Sequence, residues 1–382
     1  MTSRSASSLS VLFTVGVAMG LSACSSEPDS VDPGAGASSS ASTSGGSTVS
    51  STSGGGASVS GSGSVSVSGS GGAGTAESAS SSGGAGGAGG AGGDSTGGGG
   101  SAGPDDSGSM GCGKPATRPD PRTQQTLMVG GVTRYYLMYV PQNYDPNKPL
   151  SLVFGIHGLN MNNVWAAHDN SGFQLIQETD DQALLIYPQG LPASGRSTPP
   201  STESQWGTAD SNWGGPPPSA NRARLDADLA FFDAMLEHAK SNYCVDTKRV
   251  FAVGFSQGGF MTNTLGCERS SEFRGLAPVA GWGPNGSQPM CGDASAAHAL
   301  IQTQGDTDGT VTPALGQSTR DFWRARNGCE ARTMPSAAFG NGCVEYQGCN
   351  EGTPLVYCTH PGGHSVPSGA GGRAWRFFQS LK

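Results

Sequence analysis

Val250-Phe251-Ala252-Val253-Gly254-Phe255-Ser256-Gln257-Gly258-Gly259-Phe260 is the stretch on which the fold turns. An apolar run suited to a buried strand leads into Gly-x-Ser-x-Gly, and an apolar helical segment follows from about Gly258 to Cys267. A serine on such a strand-to-helix turn has its hydroxyl exposed above a sheet, and side chains at the two flanking glycines would clash in so tight a turn. The pentapeptide alone carries little weight. It also occurs at Gly93–Gly97 and Gly99–Gly103, inside a Gly/Ser-rich tract with no strand before it and no helix after it. Only Gly254–Gly258 has the context that makes Ser256 a candidate nucleophile.

Outward from that turn, strand and helix patterns alternate. Upstream, Thr126–Val129 and Thr133–Val140 flank Gly130-Gly131 and read as a β-hairpin. Leu150–Ile156 is a buried-strand run ending at His157-Gly158, and Ala183–Tyr187 is another, closed by Pro188-Gln189-Gly190. Leu225, Leu229, Phe232 and Leu236 recur at helical spacing, which predicts an amphipathic helix ending near Ser241. Downstream, Ala277–Ala280, Ala299–Thr303 and Leu355–Cys358 read as strands and Gly372–Leu381 as a closing helix. This alternation implies an α/β fold of the α/β-hydrolase kind, with a mostly parallel central sheet and helices on both faces. Between the elements, Ser194–Asn221 is rich in Pro, Gly, Ser and Trp, a long irregular loop of the sort that often meets substrate.

Serine is a poor nucleophile until a base takes its proton. On this fold the order along the chain is Ser, then Asp or Glu, then His. Of the six histidines, only His360 and His364 lie late enough. His364 follows the last strand in a Gly-rich loop able to carry an imidazole over Ser256, whereas His360 sits at the strand's end and reads as structural. The acid belongs after Ala299–Thr303, where Gly305-Asp306-Thr307-Asp308 offers two carboxylates. A tetrahedral intermediate also needs N–H donors for its oxyanion. The amide of Gln257, at the start of the helix, is one candidate. Leu159, in the loop after Leu150–Ile156, is the other, with His157 a structural anchor of that loop.

With these motifs placed, about 112–382 resembles the feruloyl esterase and poly(3-hydroxybutyrate) depolymerase-like group of carbohydrate esterases. The resemblance rests on Cys112-Gly113-Lys114, on Tyr139-Val140-Pro141, and on Cys244-Val245-Asp246-Thr247-Lys248-Arg249-Val250-Phe251 leading into Gly254-Phe255-Ser256-Gln257-Gly258-Gly259. It continues through Cys267-Glu268-Arg269, Phe273-Arg274-Gly275-Leu276-Ala277-Pro278-Val279-Ala280-Gly281, Asn327-Gly328-Cys329 and Gly362-Gly363-His364. The family carries its acid in a His-Gly-x-x-Asp pattern, which falls on Gln304-Gly305-Asp306-Thr307-Asp308 and so implies Asp308. Gln304 stands where the family usually has His, and the Trp often found after the histidine in bacterial members is missing. The resemblance implies ester hydrolysis without a metal or organic cofactor. Trp206, Trp213 and Trp282 have two readings, a surface that stacks an aromatic acyl group or a sugar, or packing beneath the long loop.

Composition divides the rest of the chain. Arg4 and the apolar run Leu9 to Leu21 resemble an export signal too short to span a bilayer, closing at Leu21-Ser22-Ala23-Cys24 like a bacterial lipobox. Residues 1–24 therefore read as a lipoprotein signal with Cys24 lipidated, and 25–111 as a Gly/Ser/Ala/Thr tether that lacks the apolar residues needed to fold. The esterase domain is 112–382. After Cys24, eight of the nine cysteines remain, namely Cys112, Cys244, Cys267, Cys291, Cys329, Cys343, Cys349 and Cys358. An even set in an exported domain predicts disulfides, of unassigned pairing, rather than a metal site.

The formal net charge is −8, but Glu27, Asp29, Asp32, Glu77, Asp94, Asp105 and Asp106 all precede Cys112. The domain itself is near neutral with no basic stripe, which excludes nucleic acid as a partner. The expected partners are an ester substrate, polysaccharide- or polymer-linked, and a membrane through the N-terminal lipid only, with the chain an exported monomer at an outer membrane or cell surface, or otherwise secreted. Three functions fit this reading: an esterase on feruloyl or acetyl xylan, a poly(3-hydroxyalkanoate) depolymerase, and a non-catalytic binding protein on a hydrolase scaffold. The complete Ser, Asp, His order disfavours the third.

Overall fold

A computed structural model describes residues 107–192, 194, 204–208, 219–284, 291 and 297–382. All of them fall in the unit Asp94–Lys382, the chain's other unit being Met1–Gly93. Cys24, nearly all of the expected tether and Trp213 lie outside the described residues.

The strands are β1 (Gln125–Val129), β2 (Val132–Tyr139), β3 (Leu150–Ile156), β4 (Ala183–Pro188), β5 (Leu191–Pro192), β6 (Ser204–Gln205), β7 (Val245–Phe255), β8 (Gly275–Val279), β9 (Ala299–Gly305), β10 (Thr333–Pro335), β11 (Cys343–Tyr346) and β12 (Leu355–His360). The helices are α1 (Asn163–His168), α2 (Leu175–Glu178), α3 (Ser219–Asn242), α4 (Gln257–Glu268), α5 (Pro313–Arg326) and α6 (Ala370–Ser380). Ten strands make one sheet in the order β1-β2-β4-β3-β7-β8-β9-β12-β11-β10. The pairs from β4 through β12 are parallel, and antiparallel strands extend both edges. This is the α/β-hydrolase arrangement.

The segments of the parallel strands covered on both faces, Leu152–Ile156, Ala183–Tyr187, Val250–Val253 and Ala299–Ile301, are apolar runs for that reason. Successive residues alternate between two cores. Leu152, Phe154 and Ile156 of β3 join Val250 and Ala252 of β7 beneath Leu229, Phe232 and Met235 of α3, Met261 and Leu265 of α4, and Trp323 of α5. Val153, Phe251, Val253 and Phe255 face the other way, onto Ala166 of α1, Leu175 of α2, and Trp375, Phe377 and Phe378 of α6.

Several elements and the start of the domain differ from the sequence expectation. The short helices α1 and α2, the strands β5, β6, β10 and β11, and the longer α5 were not in it. Helix α5 has Pro313 in its first turn, a start signal, and it is held inward by Trp323, whose indole N–H donates to Asn263 Oδ1 at 2.9 Å. The packed domain also begins ahead of Cys112. The Thr247 amide donates to the Ser107 carbonyl at 2.8 Å, and the Ser109 hydroxyl reaches the Tyr243 carbonyl at 2.7 Å, so this piece of the expected tether pairs with β7.

The cysteines pair as Cys112–Cys244, Cys267–Cys291, Cys329–Cys349 and Cys343–Cys358. The first ties the domain's entry to the start of β7. The last crosses from β11 to β12, just before the loop that carries His364.

Candidate functional site

Strand β7 ends at Phe255, α4 begins at Gln257, and Ser256 between them has φ 55° and ψ −122°. A non-glycine residue at positive φ is strained and persists only where its surroundings fix it. Here the Ser256 amide donates to the Val279 carbonyl at 2.9 Å, and the Ser256 carbonyl accepts from the Phe260 amide at 3.0 Å. The flanking glycines are required by close approach. A Cβ on Gly254 would lie 2.2 Å from the Gly258 carbonyl oxygen, and one on Gly258 would lie 2.2 Å from that of Ile156.

Three loops at the carboxyl ends of the strands bring the remaining groups together. His364, between β12 and α6, sets its Nε2 2.9 Å from Ser256 Oγ. Its Nδ1 is 2.8 Å from Asp308 Oδ2, in the loop after β9. The other carboxylate oxygen of Asp308 accepts from the amides of Thr310 at 2.8 Å and Val311 at 2.9 Å. Asp308 is 2 % exposed, so its ionised form depends on these donors and on the imidazole. Asp306 is exposed; its amide donates to the His360 carbonyl at 2.8 Å, and its carboxylate acts on the His360 ring. The two loops touch so closely that a Cβ on Gly305 would fall 2.5 Å from the carbonyl oxygens of both Gly362 and Gly363.

His360 stays with its strand end, where Nδ1 accepts from the Gly362 amide at 3.2 Å and burial lowers its pKa. Gln304, in the place usual for His, donates from its side-chain amide to the Val311 carbonyl at 2.7 Å. It thus braces the turn that holds Asp308. An α5 glycine makes room for it: a Cβ on Gly316 would meet Gln304 Oε1 at 2.4 Å.

The loop after β3 lies against the nucleophile, a Cβ on Gly158 coming within 3.3 Å of Ser256 Cβ. Gln257 is the first residue of α4, where helix amides have no intrahelical acceptor and the dipole favours negative charge. Among the described residues, no carbonyl or side chain accepts from the backbone amide of Gln257 or of Leu159. His157 anchors the loop base. It is fully buried, its pKa is pushed down to about 4 by burial, and its Nε2 accepts from the Gly190 amide at 3.0 Å.

The tryptophans need correction. Trp206 is 1 % exposed, packed against Phe232 and His157, and Trp282 is 5 % exposed, edge-on to Phe260 with its indole N–H on Ser318 Oγ at 3.2 Å. Stacking a substrate needs an open ring face, and neither has one. Trp165 is half-buried instead. Its ring lies 5.6 Å from that of Phe255, and the Phe255 ring lies 4.9 Å from the His364 imidazole. With Met161 and Val164 it lines a cleft beside the β3 loop. Asn162, whose side chain caps α1 through the Trp165 amide at 2.9 Å, was the available signal for this element. Among the described residues, no three His, Cys, Asp or Glu side chains converge as metal ligands.

An imidazole between a hydroxyl and a buried carboxylate can take the hydroxyl proton as the oxygen attacks an acyl carbon, and can return it to the leaving group.

The phospholipase/carboxylesterase family model matches residues 217–341. Among solved structures, acetyl xylan esterase from Aspergillus awamori aligns with a TM-score of 0.49 at 15% identity, over 67% of this chain and 99% of that one. Feruloyl esterase C of Emericella nidulans is 29% identical over 284 residues, 71% of this chain and 91% of the relative. Feruloyl esterase D of Neurospora crassa is 30% identical over 269 residues, 67% of this chain and 82% of the relative. The chain is thus a serine carboxylic-ester hydrolase of the α/β-hydrolase fold and belongs to the family of the feruloyl esterases.

Proposed function

We propose that this esterase releases feruloyl or acetyl groups from plant cell-wall polysaccharide, with Ser256 as nucleophile, His364 as base and Asp308 as its orienting acid. The observation that carries the mechanism is the continuous path Ser256 Oγ–His364 Nε2, His364 Nδ1–Asp308 Oδ2, at 2.9 and 2.8 Å. Asp308, acceptor-only when ionised, selects the tautomer with the proton on Nδ1 and leaves Nε2 free to accept from serine.

Ser256 Oγ attacks the ester carbonyl as its proton passes to Nε2. The negative charge that develops on the carbonyl oxygen is held by the Gln257 and Leu159 amides. The imidazolium, stabilised by Asp308, then gives its proton to the departing sugar oxygen, leaving an acyl-serine. Water repeats the sequence with His364 as base and frees the acid. Every step needs only groups of this chain.

The choice of acyl group is supported by the relatives named feruloyl esterase and by the apolar rim of Met161, Val164 and Trp165, which suits an aromatic acid. The test is product release from methyl ferulate, acetylated xylan and a hydroxybutyrate oligomer, with Ser256→Ala as the blank. Turnover of the oligomer alone would reassign the enzyme to polyester. In the cell, Leu21–Cys24 supports a lipid anchor, with 25–106 as the spacer between membrane and enzyme. Mass spectrometry of the mature chain from its host should find lipid on Cys24 as first residue, and a lipid-free start elsewhere rules the anchor out.

A further inference from the structure

Trp206, packed rather than open to substrate, sits at the centre of a hydrogen-bonded frame joining the two amides assigned to the oxyanion. Its indole N–H donates to the His157 carbonyl at 2.9 Å. Its backbone is gripped at both polar atoms by the Gln257 side chain: the Trp206 amide donates to Gln257 Oε1 at 3.0 Å, and Gln257 Nε2 donates to the Trp206 carbonyl at 3.1 Å. The residue that offers one oxyanion amide therefore holds, through its own side chain, the residue that fixes the loop carrying the other.

The segment around Trp206 lies along that loop as a splint. The Asn160 amide donates to the Ser204 carbonyl at 2.9 Å, and the Ser204 hydroxyl donates to the Met161 carbonyl. Leu159 is thus held on both sides, by the His157 carbonyl before it and the Asn160 amide after it, while its own N–H has no acceptor among the described residues. The buried imidazole of His157 locks the loop base, with Nδ1–H on the Gly158 carbonyl at 2.8 Å and Nε2 accepting from Gly190. The far end of the splint is fixed to α3, where the Gly207 amide donates to Asp228 Oδ2 at 2.8 Å and Asp228 Oδ1 pairs with the buried Arg134 at 2.7 Å.

We infer that Trp206 and the Gln257 side chain are positioning residues that set the spacing of the oxyanion hole. The inference rests on the oxyanion assignment proposed above. Neither side chain touches the reacting atoms. Their effect is geometric: an N–H donor stabilises the oxyanion only at about 2.7–3.1 Å, and a displacement of about 1 Å costs on the order of a hundredfold in rate. Two amides from different loops hold such a tolerance only if the loops are joined, and polar contacts in a dry interior are stiff enough to join them.

Trp206→Phe removes the indole N–H and keeps most of the apolar volume, and Gln257→Met removes both side-chain hydrogen bonds at nearly constant shape. Each is expected to lower kcat about 10- to 100-fold per active site, counted by titration, with KM within about twofold of wild type. The pH dependence of kcat/KM should stay in place, because His364 and Asp308 are untouched. The double variant should lose little more than the worse single one, since both break the same frame. A folded variant of either kind that keeps kcat within twofold overturns the inference, as does a loss confined to melting temperature or to the titratable fraction. If Trp206→Phe does not fold, Gln257→Met decides alone, and failure of both to fold assigns the contacts to stability and rejects a role in spacing. Ser256→Ala is assayed in parallel: activity retained there means the reaction itself has been misassigned, a result separate from the fate of the frame.

Discussion

His364 Nε2 lies 2.9 Å from Ser256 Oγ across 108 residues of sequence, and the contact is made by three strand ends rather than by either residue's neighbours. Strand β7 delivers the serine, β12 the histidine, and β9 between them the aspartate that orients the ring. Adjacent parallel strands put their carboxyl ends in one row, so residues far apart in the chain meet above it.

Breaking any member of that row should cost the same order of rate. Ser256→Ala, His364→Ala and Asp308→Asn are each expected to lower kcat by at least about a thousandfold, with pairwise combinations little worse than the singles. Asp306→Asn, at an exposed carboxylate off the row, should keep most of the activity. Initial rates on a soluble phenyl ester measure all four, and an inactive Asp306→Asn beside an active Asp308→Asn would reverse the choice of acid.

How much of this was legible beforehand depended on where each signal is written. Strands β3 and β4 and the buried segments of β7, β9 and β12 were readable because chain covered on both faces is rich in apolar residues, whereas the polar start of β7, Asp246–Arg249, was not. The choice between Asp306 and Asp308 was not, without the family pattern: two carboxylates two residues apart look alike until burial separates them. Whether Trp206 stacks substrate or packs was open for a related reason. A tryptophan in a Gly- and Pro-rich loop looks like a surface ring, and what buries it, His157 and Gln257, stands 49 and 51 residues away. Helix α5 carried its proline start but interrupts the strand rhythm with a polar outer face.

Gly258 should tolerate no side chain. A methyl there would sit 2.2 Å from the Ile156 carbonyl oxygen and 2.5 Å from that of His157, both backbone atoms of the β3 end. Gly258→Ala is expected to destabilise by at least about 1–3 kcal/mol through overpacking and to lose most turnover, because the clash pushes apart the two segments proposed to carry the oxyanion amides. Thermal unfolding with parallel kinetics measures both, and a variant with wild-type kcat would contradict the close approach.

The disulfides should differ in what they contribute. Cys112–Cys244 closes a separation of 132 residues and Cys329–Cys349 one of 20. Restricting the unfolded chain is worth about 5 kcal/mol for the longer loop and about 3 kcal/mol for the shorter. Paired Cys→Ser substitutions followed by urea unfolding should therefore lower stability more for the first bridge. Equal losses would locate the stabilisation in local contacts instead of chain restriction.

Acid should weaken the fold through buried histidines, His157 and His298 foremost, with the burial-lowered His238 and His360 acting in the same sense. His157 and His298 are both buried, and burial pushes the pKa of each down to about 4 from an ordinary 6.5. Between those values the unfolded chain binds a proton at each site that the native chain does not, so stability falls as pH drops from about 6.5 toward 4. Each fully buried group contributes up to about 1.4 kcal/mol per pH unit, and the pair about 2–3 kcal/mol per unit in mid-window. The depressed carboxyl of Asp169, hydrogen-bonded to Ser171, acts in the same sense but only below the ordinary carboxylate range. Urea unfolding at pH 7, 6 and 5, with disulfides intact, should show a falling midpoint at constant m-value. His298→Gln should reduce the slope, because its imidazole proton is then absent from both states. Stability that stays level from pH 7 to 5 would mean that both rings are protonated inside the fold, which for His157 would set a second donor against the Gly190 amide where its Nε2 now accepts.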